Sequence, residues 1–249
     1  MRTRGWILPV AVGLAALFTA ASSAQPTNTR VRHRAPPAEP VVVELFTAQG
    51  CSGCPEANAR IEAVAAEPGV IALTYAVDYW DYLGWADTFA RPEFAQRQRA
   101  YRRALQIRNV STPQVVIDGR RQAAANVEAI QAAIDEEAGR RAAPPEIEFR
   151  ETGDRVGAGS GGAPHGGAEV VAVVYMPGAQ TVEIERGDNR GQKVRHVNVV
   201  RSVQVLGPWT GRPVLYALPD SATADQAVAV LVQSREDRRI LTASVLDPR

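Results

Sequence analysis

The feature that most constrains this chain is one junction holding its only two cysteines, Cys51 and Cys54. An apolar run, Val41-Val42-Val43, leads through Glu44-Leu45-Phe46 into Cys51-Ser52-Gly53-Cys54-Pro55, and an Ala-rich pattern follows from Glu56 to Ala66. Val41 to Phe46 reads as a strand buried on both faces of a sheet. Ala57, Ile61, Val64 and Ala65 recur at helical spacing, and Pro55 suits a first helical turn, where its missing N–H costs nothing. Pro68-Gly69 ends that helix, and Val70 to Val77 is a second buried-strand pattern. Strand, helix and strand in this order predict a parallel pair with a right-handed crossover.

The next stretch, Asp78-Tyr79-Trp80-Asp81-Tyr82-Leu83-Gly84-Trp85, follows the C-terminal end of the second strand, as Cys51 follows that of the first. Parallel strands put those ends on one sheet edge, where open α/β sheets bind ligands. Asp78, Tyr79, Trp80, Tyr82 and Trp85 are therefore expected as a substrate-binding wall beside the cysteines. Pro92 to Ile107 is an amphipathic helix with Phe94, Tyr101 and Leu105 on one stripe. The arginines around it (91, 97, 99, 102, 103 and 108) read as a solvated face. Ser111-Thr112-Pro113-Gln114 precedes Val115–Ile117, so Pro113 is a candidate cis residue at a strand start. Asp118-Gly119 reads as a hairpin turn, and Asn126 as the cap of a helix bearing Val127, Ile130 and Ile134.

Arg2 and Arg4 before the apolar run Ile7–Phe18, and Ser22-Ser23-Ala24 after it, read as a signal peptide over residues 1–24, cut after Ala24. The Pro-containing stretch 25–39 reads as a disordered linker. A periplasmic or secreted protein is expected, with no membrane span once the leader is removed. A net charge of +1 gives no reason to expect a nucleic-acid partner. After Ala142-Ala143-Pro144-Pro145 the patterns become strand-like: Ile147–Arg150, Val170–Tyr175, Thr181–Glu185, Val194–Leu206, Val214–Leu218, Ala227–Val232 and Ile240–Leu246. Gly157 to Gly167, with six glycines, reads as a flexible loop. The expected organisation is an α/β domain over 40–141, with a helical insertion at 78–108, followed by an all-β sandwich-like domain over 142–249.

In an oxidising compartment a cysteine pair is normally a disulfide, and a two-residue spacer closes too short a loop to stabilise a fold much. A redox role for Cys51 and Cys54 is therefore the stronger reading. A helix start stabilises a thiolate, so Cys51 is expected to be the exposed nucleophile and Cys54 the less exposed resolving thiol. Glu44 admits two readings: an acid at the limit of burial, or a buried acid relaying protons to the thiols. Two thiolates can also hold a soft ion such as Cu(I), but the chain has little to complete a shell, and neither metal nor cofactor is expected.

Residues 44–55 (Glu-Leu-Phe-Thr-Ala-Gln-Gly-Cys-Ser-Gly-Cys-Pro), 77–85, 97–101 and 112–120, with Arg186-Gly-Asp-Asn-Arg-Gly191 and Asn198-Val-Val-Arg201, resemble the exported bacterial family catalogued as domain of unknown function 1223. The resemblance spans nearly the whole mature chain. That family is regarded as thioredoxin-like, which implies a thioredoxin fold in the first domain and a cis bond before Pro113 beside the cysteines. Relative to thioredoxin, Gly50 stands where a tryptophan is usual. The activity implied is thiol–disulfide exchange with a protein or small-thiol partner: Cys51 attacks, Cys54 resolves, Thr112-Pro113 orients the partner and Glu44 assists proton transfer. The alternative is a non-catalytic binding module with an inert disulfide.

Overall fold

The computed structural model describes residues 39–140, 144–220 and 223–248. The leader and nearly all of the linker expected over 1–39 lie outside them. The first elements follow the local signals. β1 (Val41–Thr47) and β2 (Val70–Ala76) run parallel, in register from Val41–Val70 to Thr47–Ala76, with α1 (Cys54–Ala65) as their crossover. A single 3₁₀ turn (Asp81–Leu83) and α2 (Pro92–Ala104) come next. The Thr112–Pro113 peptide is cis, and it leads into β3 (Gln114–Ile117), which pairs antiparallel with both β1 and β4 (Arg121–Ala123). Asp118 and Gly119 both have positive φ, as a type I′ turn requires. In α3 (Val127–Ala138) the Asn126 side chain accepts the Ala129 N–H at 2.8 Å, as its cap role predicts.

The second half overturns the expected organisation. Its strands are β5 (Ile147–Phe149), β6 (Arg155–Ala158), β7 (Ala168–Glu183), β8 (Lys193–Trp209), β9 (Val214–Ala217), β10 (Ala227–Ser234) and β11 (Ile240–Leu246). Four of them extend the first sheet, giving one mixed eight-stranded sheet in the order β11-β10-β7-β8-β2-β1-β3-β4; β5-β6-β9 form a small second sheet. The chain is thus mostly sheet, with eleven strands and three α-helices among the described residues. It is not a thioredoxin-like α/β domain followed by a separate β-sandwich.

The physical reason is a shared core. Val42 and Phe46 of β1, Leu73 and Tyr75 of β2, and Phe94 and Tyr101 of α2 pack in one cluster with Val171 and Val173 of β7 and Leu231 of β10. Alternate residues of β7 and β10 (Val170, Val174, Val228, Val230) face a second core with Val156 and Trp209, so these Val-rich strands are buried on both faces. The sheet also curls until its flanks meet. The Ile240 N–H donates to the Asp118 carbonyl at 2.7 Å, and a Cβ on Gly119 would lie 2.1 Å from the Arg238 carbonyl oxygen. Only glycine permits that approach.

Two local readings also change. Val170–Tyr175 and Thr181–Glu185 are one strand, because Met176-Pro177-Gly178 makes a bulge rather than a turn; the β7–β8 register slips between Met176 and Ala179. Opposite it Asn198, at φ +49°, accepts the Gly178 N–H and donates to the Ala72 carbonyl. The glycine-rich stretch read as loop contributes its first two residues to β6.

One buried ion pair ties the halves together. Glu44 is fully buried, and its Oε1 accepts from Arg97 Nε at 2.7 Å while Tyr101 donates to Oε2. Arg97 is 6% exposed and also donates to Gln233 of β10 (3.1 Å) and to the Tyr101 hydroxyl (2.9 Å). Arg97, expected on a solvated face, is the exception among the arginines of that helix region; 91, 99, 102, 103 and 108 are exposed. Burial works against its charge, but Glu44, Tyr101 and Tyr75 hold the guanidinium more firmly protonated than usual. Replacing Arg97 by Met should strand the Glu44 charge and cost about 3–5 kcal/mol in urea unfolding. The double variant Glu44→Leu/Arg97→Met should recover most of that loss.

Candidate functional site

The site is built where β1 ends. Thr47 closes the strand, Cys51 lies in the following turn, and Cys54 is the first residue of α1. The cysteines form a disulfide with Cα atoms 5.4 Å apart. The Cys51 N–H donates to the Ala48 carbonyl, and the Cys54 N–H to the Cys51 carbonyl (3.1 Å). Ser52 and Gly53 are exposed, but Cys51 is only 2% exposed and Cys54 not at all. The expectation of an exposed Cys51 is corrected by the three segments that close around the turn.

The first is the cis peptide. Pro113 Cδ stands 3.7 Å from where a Cβ on Gly53 would be, so Thr112-Pro113 flanks the disulfide turn as expected. The second is the aromatic stretch with its continuation to Phe89. Trp80 donates through Nε1 to Thr112 Oγ1 at 2.7 Å, and its Cβ lies 3.3 Å from a Cβ placed on Gly50. Gly50 therefore leaves the room that Trp80 occupies. Trp85 Nε1 donates to Gln49 Oε1 at 2.8 Å. Of the other expected wall residues, Tyr79 packs against the cluster that holds the cysteines and donates to Gln98 (3.2 Å), Tyr82 stacks on Trp80 at 78% exposure, and the Asp78 carbonyl accepts the Asp81 N–H. Glu44 is not among the groups gathered at the disulfide; both its oxygens are held by Arg97 and Tyr101.

The third segment is the loop between β7 and β8, which sequence reasoning did not place here. Asn189 is buried, and its Nδ2 donates to the carbonyls of Gln49 (2.8 Å) and Cys51 (2.9 Å). Gly187 lies against Leu83, so this loop meets the aromatic segment over the turn. Two further residues were missed. Gln49 is a hub: its N–H donates to Asp87 (2.7 Å), its amide to Thr88, and its Oε1 accepts from Trp85. Asp87 accepts that N–H and the Phe89 N–H. The available signal was that Gln49 and Asn189 lie inside motifs already singled out. Among the described residues no three or more His, Cys, Asp and Glu side chains are placed to hold a metal, and no helix is long and apolar enough to cross a membrane.

The segments that close this site (44–55, 77–85, 112–120 and 186–191) all fall inside residues 42–233, which match the family model described as "Protein of unknown function (DUF1223)". The chain belongs to the DUF1223 family. Among solved structures, the DUF1223 protein is similar to protein AGR_C_4864 from Agrobacterium tumefaciens, at 33% identity and a TM-score of 0.72, over 86% of this chain and 97% of that one. It is also similar to HBP35 of Porphyromonas gingivalis, at 17% identity and a TM-score of 0.54, over 85% of this chain and 76% of that one; this second likeness concerns fold alone. No curated protein matches the chain.

Two buried groups give this DUF1223 protein an acid–base character near its site. Burial raises the Asp87 carboxyl to about 6, against the backbone N–H groups of Gln49 and Phe89, which favour its charged form. His196 of β8 packs edge-on against Phe89 at 5.5 Å, and burial lowers it to about 4. Their effects on stability have opposite signs. The native state takes up the Asp87 proton near pH 6, above the unfolded value near 3.9, so that contribution is present in acid and lost as pH rises through about 6. His196 stays neutral in the native state down to about 4, whereas the unfolded imidazole charges near 6.5, so its contribution is lost as pH falls from about 6.5 to 4. At ~1.4 kcal/mol per unit each amounts to about 3 kcal/mol. The substitution His196→Phe, which keeps the aromatic contact with Phe89, should remove the second contribution. In urea unfolding, the variant's stability relative to the parent should increase by about 3 kcal/mol between pH 7 and pH 4.

Proposed function

We propose that this protein carries out thiol–disulfide exchange through the Cys51–Cys54 pair in an exported, oxidising setting. The observation that carries the reading is the disulfide at the start of α1 with the cis Thr112–Pro113 peptide against Gly53. Supporting it, the bridge closes too small a loop to stabilise the fold much, so its position calls for another use. Its place at the positive end of the α1 dipole favours a thiolate at Cys54, which makes it a good leaving group when Cys51 is attacked and a ready nucleophile for the return step. In the reducing direction a partner thiolate attacks Cys51 Sγ, the Cys51–Cys54 bond breaks, and its electron pair stays on Cys54 Sγ. A second thiol then attacks the mixed disulfide and releases Cys51. Trp80, holding Thr112, shapes the wall against which the partner docks, with Tyr82 as its exposed outer face. The reading includes a leader over residues 1–24 that delivers the protein to the periplasm or medium.

A second reading is favoured by one observation. Cys51 is 2% exposed, which suits a binding module whose disulfide is inert. The two readings separate by experiment. With Cys54→Ser, Cys51 should accumulate mixed disulfides with exported partners, seen as reducible adducts by mass spectrometry, and Cys51→Ser should trap none. Equilibration with glutathione should place the pair above about −300 mV. A lower potential together with no adducts on Cys54→Ser would establish the inert bridge.

A further inference from the structure

The Arg186–Gly191 loop reaches the redox turn from the far half of the chain, and its role follows from what Asn189 holds. The Cys51 carbonyl has two donors. One is the Cys54 N–H, local to the turn; the other is Asn189 Nδ2, from 138 positions away. The same amide group holds the Gln49 carbonyl, so one side chain clamps the backbone on both sides of Gly50. Asn189 is itself 1% exposed, and its Oδ1 is buried without a hydrogen-bond partner. A side chain confined in this way, with half its amide unsatisfied, gains from its two N–H bonds but is not locked on every side.

The flanks of Asn189 are different. Arg186, Asp188 and Arg190 are exposed, and Gly187 and Gly191 have positive φ. The loop is braced by its own backbone bonds, from Gly191 to the Ile184 carbonyl at 2.7 Å and from Ile184 to the Gln192 carbonyl at 3.0 Å. Its side-chain hydrogen bonds to the site are those of Asn189, beside the Gly187–Leu83 contact, while the fully buried Ile184 anchors its base. Such a segment moves as a unit when two hydrogen bonds let go, while the sheet beneath it stays folded.

Resting on the exchange reading above, we propose that Asn189 is a positioning residue that latches this loop over Cys51, and that the latch must open before a thiolate reaches the Cys51 sulfur. The consequence is gated chemistry. In-line attack on Cys51 Sγ needs an approach that a 2%-exposed residue does not offer. A small dithiol must wait for the loop to open.

Reduction of the full-length protein by dithiothreitol tests this directly. Each event consumes one dithiol and yields the Cys51 and Cys54 thiols and one cyclic disulfide. In the parent, the rate should level off at high dithiol concentration, at the opening rate of the loop. In Asn189→Ala it should stay proportional to dithiol and be at least about tenfold faster at low concentration. Asn189→Asp, nearly isosteric but without amide hydrogens, should behave like Asn189→Ala, which separates the two bonds from packing. Hydrogen exchange on the parent is the check that needs no variant: peptides covering 184–192 should exchange faster than those of β7 and β8, with an opening rate equal to the plateau rate of reduction. Equal and unsaturated rates in parent and both variants would overturn the latch while leaving exchange intact. A disulfide that resists reduction in all three forms would overturn both the latch and the exchange reading.

Discussion

The structure turns on a charge placed where none is cheap. Glu44 sits in the middle of a strand whose seven residues are all buried. A carboxylate there is tolerated only if it is paired and its lone pairs are filled. Arg97 fills one oxygen and Tyr101 the other, which requires α2 to present that particular stripe to β1. The guanidinium then needs acceptors of its own. It finds the Tyr101 hydroxyl one turn along and Gln233 on β10, whose amide in turn donates to Tyr101 and to the Arg238 carbonyl. A buried pair is weak evidence for net stability. Its effect here is on arrangement: one rotation of α2 satisfies β1 and β10 together, so the two flanks of the curled sheet are held against the same helix.

The neighbouring residue of that helix serves the site. Gln98 takes the Tyr79 hydroxyl on one side and donates to the Ser111 carbonyl and Gln114 on the other. Those last two residues bracket the cis Thr112–Pro113 peptide. Arg97 and Gln98 thus direct one helix both into the core and toward the peptide that flanks the disulfide. The aromatic segment, fastened to Thr112 by Trp80 and to Gln49 by Trp85, is positioned through the same helix. Its geometry depends on the buried pair as much as on its own contacts.

What could be read from the sequence divides along the same line. β1, α1, β2, the Asp118-Gly119 turn and the Asn126 cap depend on signals a few residues long, and the structure places each where periodicity and turn chemistry put it. The cysteine pair, Trp80 and Trp85 came together because strand ends in a parallel pair share an edge; Thr112-Pro113, placed there by the family resemblance, arrives at the start of β3, which runs antiparallel to β1. Pairing between distant strands leaves no such mark. Val170 to Tyr175 is equally suited to a sandwich or to the flank of an existing sheet, and nothing local says that β7, β8 and β10 continue the sheet of β1 and β2. Arg97 lies between Phe94 and Tyr101 on the helix stripe, which was a readable sign of burial; the abundance of arginine around it masked the sign. Asn189 offered no local sign beyond its motif, since its partners are far away in sequence.

Asn189 also explains a feature of the fold that is otherwise odd. β7 and β8 have 16 and 17 residues, so each arm would measure ~50 Å if straight, far longer than an ordinary strand. A straight hairpin of that length would carry its tip away from the molecule. Instead it bends where Gly178 and Asn198 face one another, with Pro177 offering no N–H to the ladder. The bend coincides with the single bridge to β2, Thr74–Val199, and Asn198 secures it by its bond to Ala72. Beyond the bend the arm crosses α1, where Arg195 pairs with Glu62, and delivers the loop to Cys51. The base of the hairpin belongs to the sheet and its tip to the site. A bulge that looks like a break in the strand is what lets one hairpin serve both.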